Sequence, residues 1–378
     1  MSGNETFDVA IVGGGIIGCA TAYYLSKRGG VRVVLLERGG EIGAEATKAA
    51  AGILNPFYTE SKPGGFFDTC VEAHALFRPL AEELREISGI DPMYLEWGLV
   101  GLLFDADDEK AAAEKLHWHR ALGLPIERWS AEEAWRSEPG VSRAIRGALF
   151  FPKDFHIHNG LLVEALAEGA RRSGVDVRLG TPVTSLVRNG HRVIGVETET
   201  GRIAAGTVVL AAGAWSPALG RLVGKEIPVE PARGQMVVLR ARGAFTRHVV
   251  YSKQQYVVPR TDGEVIVGST LEFEGFDKRT TVEGIRWVLQ RALEMVPGLA
   301  ELTFEGVRAG LRPYSADSFP ILGAYPDVPG LVVATGHSRK GILLGPMSGK
   351  LVAELILDGK TSLPIEPFSP LRFTGARG

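Results

Sequence analysis

The stretch Phe7-Asp8-Val9-Ala10-Ile11-Val12-Gly13-Gly14-Gly15-Ile16-Ile17-Gly18 decides how this chain is read. Its first six residues, mostly apolar, make a buried strand, and the glycines stop it. Apolar residues then recur at helical spacing from Ile16 to Arg28, and Gly29-Gly30 break the run. Residues 31–36 form a second strand, closed by Glu37. Strand, glycine turn, helix and strand within about 30 residues make a βαβ unit. Gly13, Gly15 and Gly18 satisfy G-x-G-x-x-G. Gly13 permits the tight turn, Gly15 lets the backbone approach a pyrophosphate, and Gly18 lets helix and strand pack closely. The phosphates would lie at the helix N-terminus, where free N–H groups and the dipole favour an anion. Glu37, 24 positions after Gly13, is placed to accept from a ribose hydroxyl. The alternative is a glycine turn with no ligand. The pattern does not separate NAD from FAD.

Moving outward, residues 44–52 are rich in small side chains, residues 70–88 have helical periodicity, and residues 106–122 read as a charged, exposed helix. Ser130 is a helix N-cap, with Glu133 three residues on. Residues 159–173 read as a helix, 175–179 as a strand, and 193–198 with 201–204 as a hairpin. Residues 207–213 and 331–336 are buried strands that end on Gly213 and Gly336. They would bring backbone to the carboxyl edge of the same sheet, where ligands bind. They could equally be plain strands ending in turns. Several strand-like runs fill 228–271, a helix covers 281–295, and a closing helix covers 346–357. Pieces of one α/β layer thus lie at the start, middle and end. The expected fold is α/β with an α+β second domain: a Rossmann-like dinucleotide domain interleaved with a mixed or antiparallel-sheet substrate domain. The expected boundaries are 1–85, 147–225 and 305–365 for the first, 86–146 and 226–304 for the second, and a tail over 366–378.

The chain has 378 residues, enough for a large core, which excludes disorder. With 42 Lys plus Arg against 44 Asp plus Glu, the net charge is -2, and no polybasic tract appears. Nucleic acid is therefore an unsuitable partner. No apolar run is long enough for a membrane span, and no signal peptide is read, so the expected compartment is the cytoplasm. Two cysteines exclude a disulfide framework and a Cys-rich zinc site. His117 with His119, and His156 with His158, lack the partners a metal needs, so no metal is expected. Arg312 sits between Leu311 and Pro313, and an arginine in apolar company needs an anion. That anion is either a ligand carboxylate, held by two parallel hydrogen bonds, or an internal acid. Tyr251, Tyr256, Arg260 and Tyr314 are weaker candidates of the same kind.

These residues carry a resemblance. Residues 7–37, Thr47 to Leu54 and Tyr256 to Arg260 are similar to the D-amino acid oxidase (DAO) family of flavoenzymes. The sharpest likeness is in Ala309 to Pro313, Pro320 to Gly323 and Ala334 to Leu344, and it points to the glycine oxidase branch of thiamine biosynthesis. The resemblance implies a non-covalent FAD, since no cysteine stands beside Arg312. It places Ile16 and Ile17 at the pyrophosphate and Glu37 and Arg38 at the adenosine end. It puts Ala46, Thr47, Ala51, Gly52 and Ile53 along the cofactor, with Val183 at the adenine. It wraps His337, Ser338, Arg339, Lys340, Gly341, Ile342 and Leu343 round the flavin. Arg312 would hold the substrate carboxylate, with Tyr256, Arg339 and Gln254 as the other catalytic-site residues. Lys48, Gln254 and Leu271 depart from the family pattern and bear on substrate preference. The implied reaction is oxidative deamination of glycine and other small amines or D-amino acids, with hydride passing from Cα to flavin N5 and molecular oxygen as acceptor. A homo-oligomer, tetramer or dimer, is implied as well. The rivals are a dehydrogenase passing electrons to a quinone or partner subunit, an inactive FAD-holding subunit, and a flavoprotein acting on modified tRNA, against which the charge argues.

Overall fold

Two large sheets organise the computed structural model, which describes residues 5–60, 62–243, 245–253 and 255–373. In the first, Glu5–Val12 lies between Gly201–Leu210 and Val33–Leu36, all parallel. Asp176–Arg178 extends it on one side, Leu331–Thr335 on the other, and Ile321–Ala324 closes that edge antiparallel. The hairpin of Val183–Asn189 and Arg192–Thr198 pairs with the first half of Gly201–Leu210. Alternation along the strands explains the layers. Val9, Ile11, Val33 and Leu35 pack against helices Ile16–Arg28, Asn159–Arg172 and Gly341–Asp358. Ala10, Val12, Val34 and Leu36 pack on the opposite face against the hairpin. A parallel sheet covered on both faces is the expected α/β half.

The second sheet runs Thr303–Ser315, Val229–Arg240, Glu264–Gly268, Gln255–Pro259, Val249–Ser252, Leu99–Leu103, Gly147–Phe151 and Glu127–Ser130. All its pairs are antiparallel except Val249–Ser252 with Leu99–Leu103. Val237, Val257 and Val267 face helix Val282–Met295, while Met236, Tyr256 and Val258 face the first half of the molecule.

Several expectations meet a correction here. Strand Gly147–Phe151 belongs to the second sheet, so the dinucleotide layer resumes only after residue 151 and not at 147. Thr303–Ser315 pairs along Val229–Arg240, so the second sheet extends past residue 304. A short apolar strand looks the same in either sheet, and only long-range pairing decides its place. The periodic run over 70–88 is two helices, Gly65–Ala75 and Phe77–Ser88. The Pro79 ring would clash with the carbonyl four residues back, so the chain bends there. The closing helix starts at Gly341, five residues before Pro346. Residues 201–210 are one strand. The Ser130 cap is present, with the Glu133 side chain accepting in return from the Ser130 N–H.

Glycines set how the two central helices meet. A Cβ on Gly349 would stand 2.6 Å from the Ala20 Cβ, and one on Gly345 would stand 2.7 Å from Ile16 Cγ1. Helices Ile16–Arg28 and Gly341–Asp358 therefore cross in close contact, and both N-termini end at the same region.

Four buried histidines give this fold a pH dependence, His337 among them with its imidazole pulled down to about 3 by burial. Burial pulls the His74 and His119 imidazoles down to about 4 and His156 to about 3. In the unfolded chain they bind protons near pH 6.5. Stability is thus fully present above that value and is lost as pH falls toward 4, at about 2 kcal/mol per imidazole by pH 5. Tm is expected to drop by roughly 5 °C or more between pH 7 and pH 5, measured by scanning calorimetry. A flat Tm over that window would contradict the neutral, buried state of these rings.

Candidate active site

A cavity of about 840 Å³ lies between the carboxyl edge of the first sheet and the inner face of the second. That is within the range of ligand sites, about 300–1,000 Å³. It is long. One end reaches Thr181, Pro182, Val183, Trp215 and Leu219, the middle passes Gly13 and Gly15, and the other end reaches Ser269, Tyr256 and Arg312.

The middle is built by the glycine turn. Gly13 has φ +113°, and a Cβ there would come 2.5 Å from the Ala211 carbonyl oxygen. A Cβ on Gly18 would come 1.9 Å from the Gly13 carbonyl oxygen, so Gly18 serves packing and does not line the cavity. Gly15 is the N-cap of the first helix and has no side-chain cap. The Ile16 N–H donates to Thr47 Oγ1 at 3.0 Å. The other first-turn N–H groups have no acceptor within the helix, and Gly15, Ile16 and Ile17 line the cavity. Glu37 accepts from the Gly14 and Gly39 N–H groups at 2.7 Å each. A carboxylate so held keeps lone pairs for a ligand hydroxyl. Arg38 stacks 3.7 Å over the Trp215 ring and pairs with Glu45 at 2.8 Å. These features fit a dinucleotide: anion-binding N–H groups at the middle, and a carboxylate and an aromatic wall toward the Val183 end.

Ala46, Thr47, Ala51, Gly52, Ile53, Gly213, His337, Ser338, Lys340, Gly341 and Ile342 also line the cavity. Leu343 does not; its side chain is buried in the core beside the first sheet. Ser338 holds φ +48°, an uncommon conformation off glycine. Its N–H donates to the Pro313 carbonyl at 3.0 Å, which ties the loop before the closing helix to the strand that carries Arg312.

Arg312 projects into the far end. Its Nη2 donates to Ser269 Oγ at 2.7 Å and its Nη1 to the Thr270 carbonyl at 3.1 Å. Gly234, on the neighbouring strand, makes room, since a Cβ there would lie 2.1 Å from Arg312 Nη1. Among the described residues no carboxylate lies within 4 Å of Arg312 or of Arg339. Among the described residues Arg312 therefore has no internal ion pair. Burial, with the Arg339 charge beside it, pulls the Arg312 pKa below its usual value. Arg339 donates to the Tyr251 hydroxyl at 3.3 Å, and Tyr256 is 7% exposed at the same end. Gln254 lies outside the described residues. Leu271 is exposed and off the cavity, and Tyr314 meets Ser318 and Phe273 instead. Arg260 is buried elsewhere, donating to the Ile157 and Ala51 carbonyls at 2.5 and 2.8 Å. Lys48 pairs with Glu41 and Glu164 at 3.1 and 2.8 Å, outside the cavity. His158 caps helix Asn159–Arg172, and His119 meets the Phe57 carbonyl.

Sequence reasoning misses Tyr58, Gly101, Lys115, Trp215 and Gly234, all close to or lining this cavity. Trp215, two residues past Gly213, is the one with a local signal.

The sequence profile of the "FAD dependent oxidoreductase" (DAO) family matches residues 8–355. The chain is 35% identical over 374 residues to the glycine oxidase of Geobacillus kaustophilus, covering 98% of each. The crystal structure of that enzyme superposes with a TM-score of 0.93, over 97% of this chain and 99% of the other. The glycine oxidase of Pseudomonas aeruginosa is 35% identical over 363 residues, 96% of this chain and 98% of that one. The bifunctional protein ThiO/ThiG of Synechocystis is 33% identical over 375 residues, 97% of this chain and 54% of that one.

Proposed function

This chain belongs to the FAD dependent oxidoreductase (DAO) family, and from that membership we propose that it oxidises glycine and other small amines or D-amino acids. It is an FAD-dependent enzyme. The overall reaction takes an amino acid, oxygen and water to the α-keto acid (glyoxylate from glycine), ammonia and hydrogen peroxide. Bound FAD supplies the acceptor for the hydride that leaves Cα.

The observation that carries this reading is Arg312, an arginine with no acid partner among the described residues, aimed into a cavity and held by Ser269 and Thr270. A guanidinium in that state grips a carboxylate with two parallel hydrogen bonds. Tyr256 and Arg339 flank the carboxylate and fix its direction. Orientation of Cα is the main service such a site gives. Gly15, Ile16, Ile17 and Glu37 hold the dinucleotide, with Arg38 and Val183 at its adenosine end and Gly213 and residues 337–342 at the flavin. The FAD is non-covalent. Among the described residues no cysteine lines the cavity, and Cys19 and Cys70 are buried with their thiol pKa pushed up by burial. The first sheet and its helices form the cofactor domain, and the second sheet, with Gly147–Phe151 and Thr303–Ser315, forms the substrate domain. Among the described residues no helix is long and apolar enough to cross a membrane. The family likeness supports a homo-oligomer in the cytoplasm, and the ThiO/ThiG relative supports a role in thiamine biosynthesis.

The test is a peroxide assay on the purified yellow protein with glycine, sarcosine, D-alanine, D-proline and L-proline. Peroxide with glycine among the best substrates is the expected result. Flavin bleaching under argon without peroxide in air would move the acceptor to a quinone or partner. No bleaching with any of the five would overturn the reading.

A further inference from the structure

Residues 55–60 form one wall of the cavity, and a buried carboxyl and two half-buried ammonium groups hold it. Helix Pro56–Thr59 is a single turn, too short to stand alone. At its start Asp154, fully buried, accepts from the Phe57 and Tyr58 N–H groups at 3.1 and 2.8 Å. At its end the Lys115 ammonium donates to the Tyr58 carbonyl and, at 2.7 Å, to the Glu60 carbonyl. The carboxyl thus takes up free N–H groups at the first end and the ammonium takes up free carbonyls at the last, so both ends of the turn are capped. Lys340 adds a bond to Thr59 Oγ1 at 2.8 Å and an ion pair with Glu60 at 2.6 Å. Burial pulls Lys115 down to about 8 and pushes Asp154 up to about 8. Burying a carboxyl group is costly, and here it and the half-buried ammonium are spent on four backbone atoms at the two ends of one turn.

That turn presents Tyr58. Its ring centroid lies 4.6 Å from that of Tyr251, whose hydroxyl accepts from Arg339. On its other side a Cβ at Gly101 would come 2.5 Å from Tyr58 Cε2, so glycine is what admits the ring. Tyr58 therefore narrows the cavity beside the Arg339–Tyr251 pair. We propose that Tyr58 limits the size of the substrate side chain, and that Lys115 and Asp154 are the positioning residues that hold it in place. The proposal rests on the reading of this cavity as a carboxylate-binding site.

The test uses the FAD-loaded protein and two carboxylates of different width, acetate and benzoate, with perturbation of the flavin absorbance as the binding signal. Tyr58→Ala is expected to tighten benzoate at least tenfold relative to acetate. Lys115→Met is expected to move the same ratio at least threefold in the same direction, with Asp154→Asn beside it. Lys115→Arg is expected to restore the wild-type ratio. A merely structural role would weaken both ligands together and leave the ratio unmoved. A ratio within twofold of wild type in both Tyr58→Ala and Lys115→Met, or no binding of either carboxylate by any of the proteins, overturns the proposal. Failure of the wild type to oxidise any amine would instead sink the proposed reaction, and the acetate-to-benzoate ratio would still report on the wall.

Discussion

Replacing Arg312 with alanine is expected to lower kcat/KM for glycine by about 30-fold to several thousand-fold, the ~2–5 kcal/mol seen when one partner of a buried charge pair is removed. The guanidinium is already fixed by Ser269 Oγ at 2.7 Å and the Thr270 carbonyl at 3.1 Å, so little order has to be gained on binding. With no acid beside it among the described residues, the substrate carboxylate is the only anion the site would meet apart from the cofactor. Alanine would leave that carboxylate buried with no fork to receive it. Arg312→Lys keeps a point charge and loses the planar fork, so it should fall between wild type and alanine. Flavin content should stay at the wild-type level in both, because the arginine lies at the substrate end. Steady-state kinetics with the flavin-to-protein absorbance ratio as a control decides it. An Arg312→Ala enzyme with an unchanged KM for glycine would remove Arg312 from the substrate site.

Gly18→Ala is expected to yield protein that purifies without its yellow colour and unfolds well below wild type. The added methyl would sit 1.9 Å from the Gly13 carbonyl oxygen and 3.3 Å from Ile11 Cγ2. The first of these is backbone, so no rotamer change relieves it. Either the helix lifts off the strand or the turn opens, at a cost at or above the ~3 kcal/mol upper end of ordinary overpacking. Both movements take the N–H groups of Gly15 and Ile17 away from the cavity. FAD titration by fluorescence quenching should show affinity weakened at least 100-fold, and differential scanning fluorimetry a lowered Tm. Wild-type affinity in this variant would mean that the glycine turn is not where the pyrophosphate binds.

Much of the cofactor half is legible along the chain because its signals are local. A strand, a glycine turn, a helix and Glu37 fall within one short stretch, and the structure brings the strands ending at Gly213 and Gly336 to the same edge. Arg312 is legible as an arginine in apolar company, but whether its anion is internal depended on every acid in the fold. The substrate wall is harder. Residues 106–122 read as a charged, exposed helix, yet Ala111, Ala112 and Lys115 line the cavity. Small alanines leave almost no hydrophobic stripe to detect. Tyr58 stands on a turn of four residues, below the length at which periodicity means anything. Pro346 read as a helix start, since proline favours the first helical position. The start is at Gly341, fixed by the Ser338 and His337 loop, a tertiary cause that no local pattern carries.

The order of strands in the first sheet also bears on how the protein is made. Gly201–Leu210 has Glu5–Val12 on one side and Leu331–Thr335 on the other. A chain leaving the ribosome therefore carries a glycine turn early and holds an open sheet edge for more than a hundred residues more. Such contacts between distant parts of the sequence slow folding, and an unpaired edge invites association with other chains. The nucleotide site is finished only when the last strand and the closing helix arrive, so a ribosome-bound fragment ending before residue 331 has the dinucleotide motif without the edge that completes its pocket.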